Sequence, residues 1–97
     1  MLSGKTLNEL KKRSVSLSPL IRLGKNGIND NVISEIDKML SKRGLVKIKL
    51  LRSYTDITGI GETIETITKK TGSDLVSQKG YVITVYRKPK ALLKDHH

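Results

Sequence analysis

The sequence predicts an α+β sandwich: a mixed sheet of about four strands packed with three helices, in the chain order α-β-α-β-α-β-β. Three observations carry this. Segments with apolar residues at helical spacing alternate with short runs that are either apolar throughout or apolar at every second position. Gly or Pro punctuates most of the junctions. The hydrophobic content, 36% of 97 residues, is almost wholly Leu, Ile and Val, with no Phe, Trp or Cys. A chain of this length makes one domain, residues 1–97, with one modest aliphatic core over about 3–88.

Each element follows from its residues. Ser3 to about Ser14 reads as a first helix, with Leu7 and Leu10 on one face and Thr6-x-x-Glu9 as a capping box. Ser18-Pro19 stops it, because proline disfavours helix in the residue before it. Leu20–Leu23 is a short apolar strand. A second helix begins at the N-cap Asn29, with Asp30 in its first turn, where the helix dipole favours negative charge. Ile28, Val32, Ile33, Ile36, Met39 and Leu40 form its apolar stripe, and Gly44 suits the left-handed position past its end.

Leu45–Arg52 alternates, so that Val46, Ile48 and Leu50 face the core while Lys47 and Lys49 face out. Ile57, Ile60, Ile64 and Ile67 mark a third helix that ends at Gly72, with Gly59 and Gly61 weakening its start. A weak strand near Asp74–Gln78, a turn at Lys79-Gly80 and a strong strand at Tyr81–Arg87 complete the sheet. Helix crossovers make the first pairings parallel, and the closing hairpin is antiparallel. The tail, residues 89–97, is expected to be frayed. Its closing His96 and His97 are as consistent with a tag remnant as with native sequence.

Charge bounds the function. Nineteen Lys and Arg against nine Asp and Glu give a net charge of +10, the balance of a protein with a polyanionic partner, nucleic acid before membrane. No apolar run approaches the roughly 20 residues that cross a bilayer, and no secretory signal precedes the domain. With no Cys there is no disulfide or Cys-based metal site, which fits a reducing cytoplasm. No cofactor is expected.

The stretch LGKNGIND, Leu23–Asp30, concentrates the functional signal. Gly24 and Gly27 bracket Lys25 and Asn26 between an apolar strand and a helix start. Glycines allow close backbone approach, a helix N-terminus offers unpaired N–H groups, and Lys25 adds a cation; together these seat a phosphate. A bare G-x-x-G is also a common turn, and only its setting in a +10 chain raises it. KH domains use such a loop to clamp a nucleic-acid backbone. The stretch is neither a P-loop nor a dinucleotide fingerprint, since Ile28 follows Gly27 and Gly59-Ile60-Gly61 lacks a third glycine.

PLIRLGKNGINDNVISEIDKMLSKRGLVKIKL, Pro19–Leu50, together with the closing Tyr86-Arg87, resembles the CRM domain (chloroplast RNA splicing and ribosome maturation) in its stand-alone prokaryotic, YhbY-like form. The resemblance covers about residues 3–88 and lies in the ordered combination of motifs. It implies a fold related to KH-like and initiation-factor C-domain modules, binding of structured RNA, and association with precursors of the large ribosomal subunit. Carried over, Gly24, Lys25, Asn26 and Gly27 match the family loop, Lys47 and Lys49 the basic positions of the second strand, and Arg87 the terminal one. Ser53–Gly80 matches less well.

Further candidates are Arg22, which extends the cationic track, and Lys11, Lys12 and Arg13, which form either a phosphate-contacting helix face or a solvated one. Lys47 and Lys49 have their own alternatives, solubility or protection of a strand edge. Tyr54, Tyr81 and Tyr86 are the only aromatics, so base stacking is expected to be minor, with Tyr86 packing at the sheet edge. Catalysis is not signalled: Glu35 and Asp37 sit on a helix's polar face, and Asp56, Glu62 and Glu65 lack a histidine. The expected function is a monomeric, cytoplasmic, non-enzymatic RNA-binding protein of ribosome assembly. The alternative is a small basic architectural protein that binds DNA.

Overall fold

The structure, a computed structural model, describes residues 4–19, 21–24 and 27–89, apart from the side chains of Tyr54 and Ile57. Ser3, Leu20, Lys25, Asn26 and the tail from residue 90, with His96 and His97, lie outside the described residues, as does the placing of the Tyr54 and Ile57 side chains. The elements are α1 (Gly4–Val15), β1 (Ile21–Leu23), α2 (Asp30–Arg43), β2 (Leu45–Leu50), α3 (Arg52–Thr58), α4 (Ile60–Thr71), β3 (Asp74–Lys79) and β4 (Val82–Tyr86).

The third helical segment is two helices rather than one. Gly59 lies between them with φ 95 and ψ 129, a conformation no helix contains. Its N–H closes α3 on Thr55 O and its carbonyl accepts the N–H of Thr63 in α4. The apolar spacing from Ile57 to Ile67 carries no mark of a one-residue break, whereas Gly59 does.

The N-cap of α2 is as read, whereas Gly44 closes the helix at φ 80, ψ −37, a positive-φ conformation other than αL. The Asn29 side chain accepts the Val32 N–H at 2.9 Å, Asp30 follows in the first turn, and Gly44 at φ 80 donates to Leu40 O. Gly44 has a second reason to be glycine: a Cβ there would lie 2.6 Å from Pro89 Cγ. Pro89, the first residue of the segment expected to fray, is accordingly buried.

The sheet is mixed, in the order β1-β2-β4-β3. β1 pairs with β2 in parallel, and β4 pairs antiparallel with both β2 and β3. β3 runs parallel to β2 but does not pair with it, because the hairpin folds β4 back into the space between them. Gly80, φ 59, heads the two-residue turn that joins Lys79 to Val82.

Helices cover both faces. On one, Ile36 and Leu40 of α2 and Ile64 and Ile67 of α4 pack on Ile21, Leu23, Val46, Ile48, Leu50, Ile83 and Val85. This main core is wholly aliphatic, as the composition requires. On the other face, Leu10 of α1 packs on Leu45 and Val76, with Leu7, Leu17 and Tyr86 around them. β2 therefore divides by alternation: Val46, Ile48 and Leu50 face α2 and α4, while Leu45, Lys47 and Lys49 face the side of α1.

Candidate nucleic-acid interface

α1 covers only part of its face of the sheet. The pairing register places Arg22 beside Lys49, Lys49 beside Val82, and Val82 beside Lys79. These residues form one rung across all four strands, and residues of a rung share a face. Arg22, Lys49 and Lys79 are exposed. The next rung on this face, Lys47–Thr84–Ser77, lies against the end of α1, and Leu45–Tyr86 lies beneath it. The uncovered part of the face is therefore cationic.

Among the described residues, no carboxylate lies within ion-pair distance of Arg22, Lys49 or Lys79. Arg22 and Lys49 are direct neighbours, and like charges side by side on a sheet repel one another. A polyanion bound across this face would offset the repulsion.

Lys47 does not belong to the open rung. Its ammonium donates to Ser14 O and Leu17 O, both at 2.9 Å. These carbonyls lie at and just beyond the end of α1, so Lys47 fastens that helix to β2 and meets its negative pole. The expectation that Lys47 and Lys49 form one outward-facing pair holds for their shared face and fails for Lys47's availability.

Arg87 is a structural tie. Its guanidinium reaches Asp37 Oδ1 at 2.5 Å, Thr71 O at 2.6 Å, and Asp37 O and Ser41 Oγ at 2.9 Å. It joins the end of β4 to α2 and to the end of α4, and only 17% of its side chain is exposed. Both terminal nitrogens are engaged within the fold, and Nε is buried without a partner among the described residues, so Arg87 acts here as a tie between elements.

The two loop glycines differ. Gly27 is buried, has φ 66, and donates its N–H to Gly24 O at 2.9 Å. That conformation belongs to glycine for steric reasons within the chain. Gly24 is exposed, its φ is not positive, and a Cβ there would meet nothing within 4 Å. The fold therefore has no need of glycine at position 24. Lys25 and Asn26, between them, lie outside the described residues. At the start of α2, Asn29 already takes the Val32 N–H and Asp30 adds a carboxylate, so both compete with a phosphate for the helix N-terminus.

Gly24 opens onto a groove of about 500 Å³ at the carboxyl ends of the parallel strands β1 and β2, lined by Arg22, Lys49, Leu51, Arg52 and Tyr81. Crevices at carboxyl strand ends are where α/β sheets bind ligands. The Tyr81 hydroxyl donates to Asp56 Oδ1 at 3.0 Å, and the Arg52 guanidinium stands 5.9 Å above the Tyr81 ring. The sequence reading missed Arg52 and Lys79. Lys79 could have been found from the two-residue turn at Gly80, which sets it opposite Val82; Arg52 had no signal before α3 was known to begin there.

Of the α1 cations, Lys11 shares a second groove with Lys79, between α1 and β3. Lys12 and Arg13 are exposed on the last turn of α1, and nothing in the geometry joins them to the rung. Among the described residues no three His, Cys, Asp or Glu side chains gather in a metal-binding arrangement, and no helix is long and apolar enough to cross a membrane.

Comparison with known proteins matches this architecture. The CRS1 / YhbY (CRM) domain model fits residues 2–87. "Probable RNA-binding protein YqeI" of Bacillus subtilis is 32% identical over 90 residues, 93% of this chain and 92% of that protein. "Probable RNA-binding protein MJ0652" of Methanocaldococcus jannaschii is 34% identical over 86 residues, 89% of this chain and 63% of that protein. The solution structure of the hypothetical protein SAV1595 from Staphylococcus aureus superposes with a TM-score of 0.77 at 36% identity, covering 93% of this chain and 92% of the other. The fold, the order of motifs and the match along nearly the whole chain agree, and the chain belongs to the CRS1 / YhbY (CRM) domain family.

Proposed function

We propose that this protein binds structured RNA through the open cationic part of its sheet and the adjoining Gly24 loop, and acts by holding an RNA conformation rather than by catalysis. One observation carries the reading: Arg22, Lys49 and Lys79 stand on one exposed rung with no carboxylate paired to them among the described residues, beside a glycine that the fold itself does not require. The net charge of +10 supplies long-range attraction. The names of the relatives YqeI and MJ0652 support RNA as the polyanion.

Phosphates would lie along Arg22, Lys49 and Lys79, with Gly24 admitting the backbone closely and Lys25 adding charge at the loop. Such contacts follow the spacing and shape of a backbone more than its sequence. The RNA we propose is a folded element of large-subunit ribosomal RNA precursors, bound in the cytoplasm by a monomer during assembly; the family resemblance supports this finer statement. Two measurements test the reading. Fluorescence anisotropy with an RNA hairpin and a DNA hairpin of the same sequence should show tighter binding of the RNA, and equal binding would favour an architectural DNA-binding role. Crosslinking in native cells with parallel gradient fractionation should place the contacts in large-subunit precursor particles; crosslinks scattered over other RNAs would remove the ribosomal assignment.

A further inference from the structure

We infer that the groove at the carboxyl ends of β1 and β2 seats one unpaired nucleotide, its phosphate between Arg22 and Lys49 and its base against Leu51, Arg52 and Tyr81. The inference rests on the RNA-binding reading above and goes beyond it, from seating phosphates to contacting a base. It also departs from the expectation that stacking is minor.

The size fits. A groove of about 500 Å³ is in the range of a small-ligand site. The chemistry of its walls is divided in the way a nucleotide is divided. Arg22, Lys49 and Arg52 bring three cations to the rim. Leu51, 36% exposed, is one of the few large apolar side chains that the described surface leaves open. A fully paired duplex offers phosphates to such a rim and nothing to an apolar floor, whereas an extruded nucleotide offers both an anion and a planar apolar face.

Tyr81 and Arg52 form the stacking element. The ring is held at its hydroxyl by Asp56 and packs along its body against the main core. Arg52 is held much less firmly. Its Nε lies 3.6 Å from Asp56 Oδ2, and 78% of its side chain is exposed, so that ion pair contributes little. A planar cation beside a fixed ring, free to move, can swing aside to admit a base or carry one on its outer face. Gly24 on the same rim presents no side chain, so the sugar–phosphate can pass between Arg22 and the groove floor.

Three RNA hairpins with one common stem test the inference: one fully paired, one with a single extrahelical adenosine, and one with an abasic residue at that bulge. Binding is followed by anisotropy with the full chain. The adenosine hairpin should bind roughly tenfold more tightly than the abasic one, the effect of stacking one base. Arg52→Gln and Tyr81→Leu should each remove that preference. The comparison is a ratio within one variant, so a general loss of affinity or of folded protein cancels, and the exposed Arg52 position guards against a Tyr81 variant that fails to fold. Equal affinity for the adenosine and abasic hairpins, with salt-dependent binding of the paired stem retained, would overturn the groove reading and leave the RNA-binding reading standing. A preference that survives both substitutions would overturn it as well. Failure to bind any hairpin would overturn both readings.

Discussion

Gly24 and Gly27 look equivalent in the sequence, and the structure predicts opposite responses to the same substitution. Gly24→Ala places a methyl where nothing lies within 4 Å and where φ is not positive. The folded state should accept it without strain, and the unfolded chain loses freedom, so stability should be unchanged or raised by about 0.4–1 kcal/mol. Gly27→Ala puts a side chain at φ 66 on a buried residue, which costs about 1–2 kcal/mol. For a domain of this size 1 kcal/mol moves Tm by roughly 4–8 °C. Circular dichroism melts should therefore show Gly24→Ala at or slightly above the parent Tm and Gly27→Ala lower by roughly 5–15 °C. RNA affinity should divide the other way. If a phosphate approaches the backbone at Gly24, the added methyl displaces a charge-assisted contact worth about 1.5–3 kcal/mol, and binding should weaken roughly 10- to 100-fold. Folded Gly24→Ala protein with parental RNA affinity would refute the close-approach argument. A large loss of stability in Gly24→Ala would refute the claim that the fold has no need of glycine there.

Other substitutions separate structural cations from binding ones. Arg87→Met leaves Asp37 and the Thr71 carbonyl without their partner and should destabilise by about 2–4 kcal/mol, while RNA affinity of the folded fraction stays at the parental value; a stable variant with weakened binding would return Arg87 to the interface. Lys47→Met removes the two bonds that fasten α1 and should cost about 1–3 kcal/mol in chemical denaturation, with faster amide exchange in α1 than in α2. Gly44→Ala meets both a φ of 80 and Pro89 Cγ at 2.6 Å, so it should destabilise by at least about 2 kcal/mol in the same experiment.

Much of the fold was legible because its signals are local. Asn29, Asp30 and Gly44 bound α2 through caps that depend on a few neighbouring residues, and the alternation of β2 follows from strand geometry alone. The strand order was less accessible. A crossover from β2 to β3 is compatible with pairing the two, and only the returning hairpin shows that β4 separates them. The faces were half legible: the sequence puts Lys47 and Lys49 opposite the main core, but whether a side chain on that face meets water depends on where α1 ends, a matter of packing between distant segments. Arg87 illustrates the same limit, since its partners Asp37, Ser41 and Thr71 come from two other elements. For the candidate site, position along the strand identified Arg22 and Lys49, while Lys79 required the pairing register and Arg52 the start of α3 directly after β2.

The central claim is that the exposed rung of cations forms the RNA contact, and salt dependence measures it most directly. Three phosphates neutralised by Arg22, Lys49 and Lys79 give log K against log salt a slope of about −2 to −3 with an RNA hairpin. The double variant Arg22→Gln/Lys49→Gln should flatten that slope by about 1.5 and weaken binding, with its melting temperature unchanged or raised because two adjacent like charges are gone. A folded double variant with the parental slope would contradict the account and place the RNA on another surface.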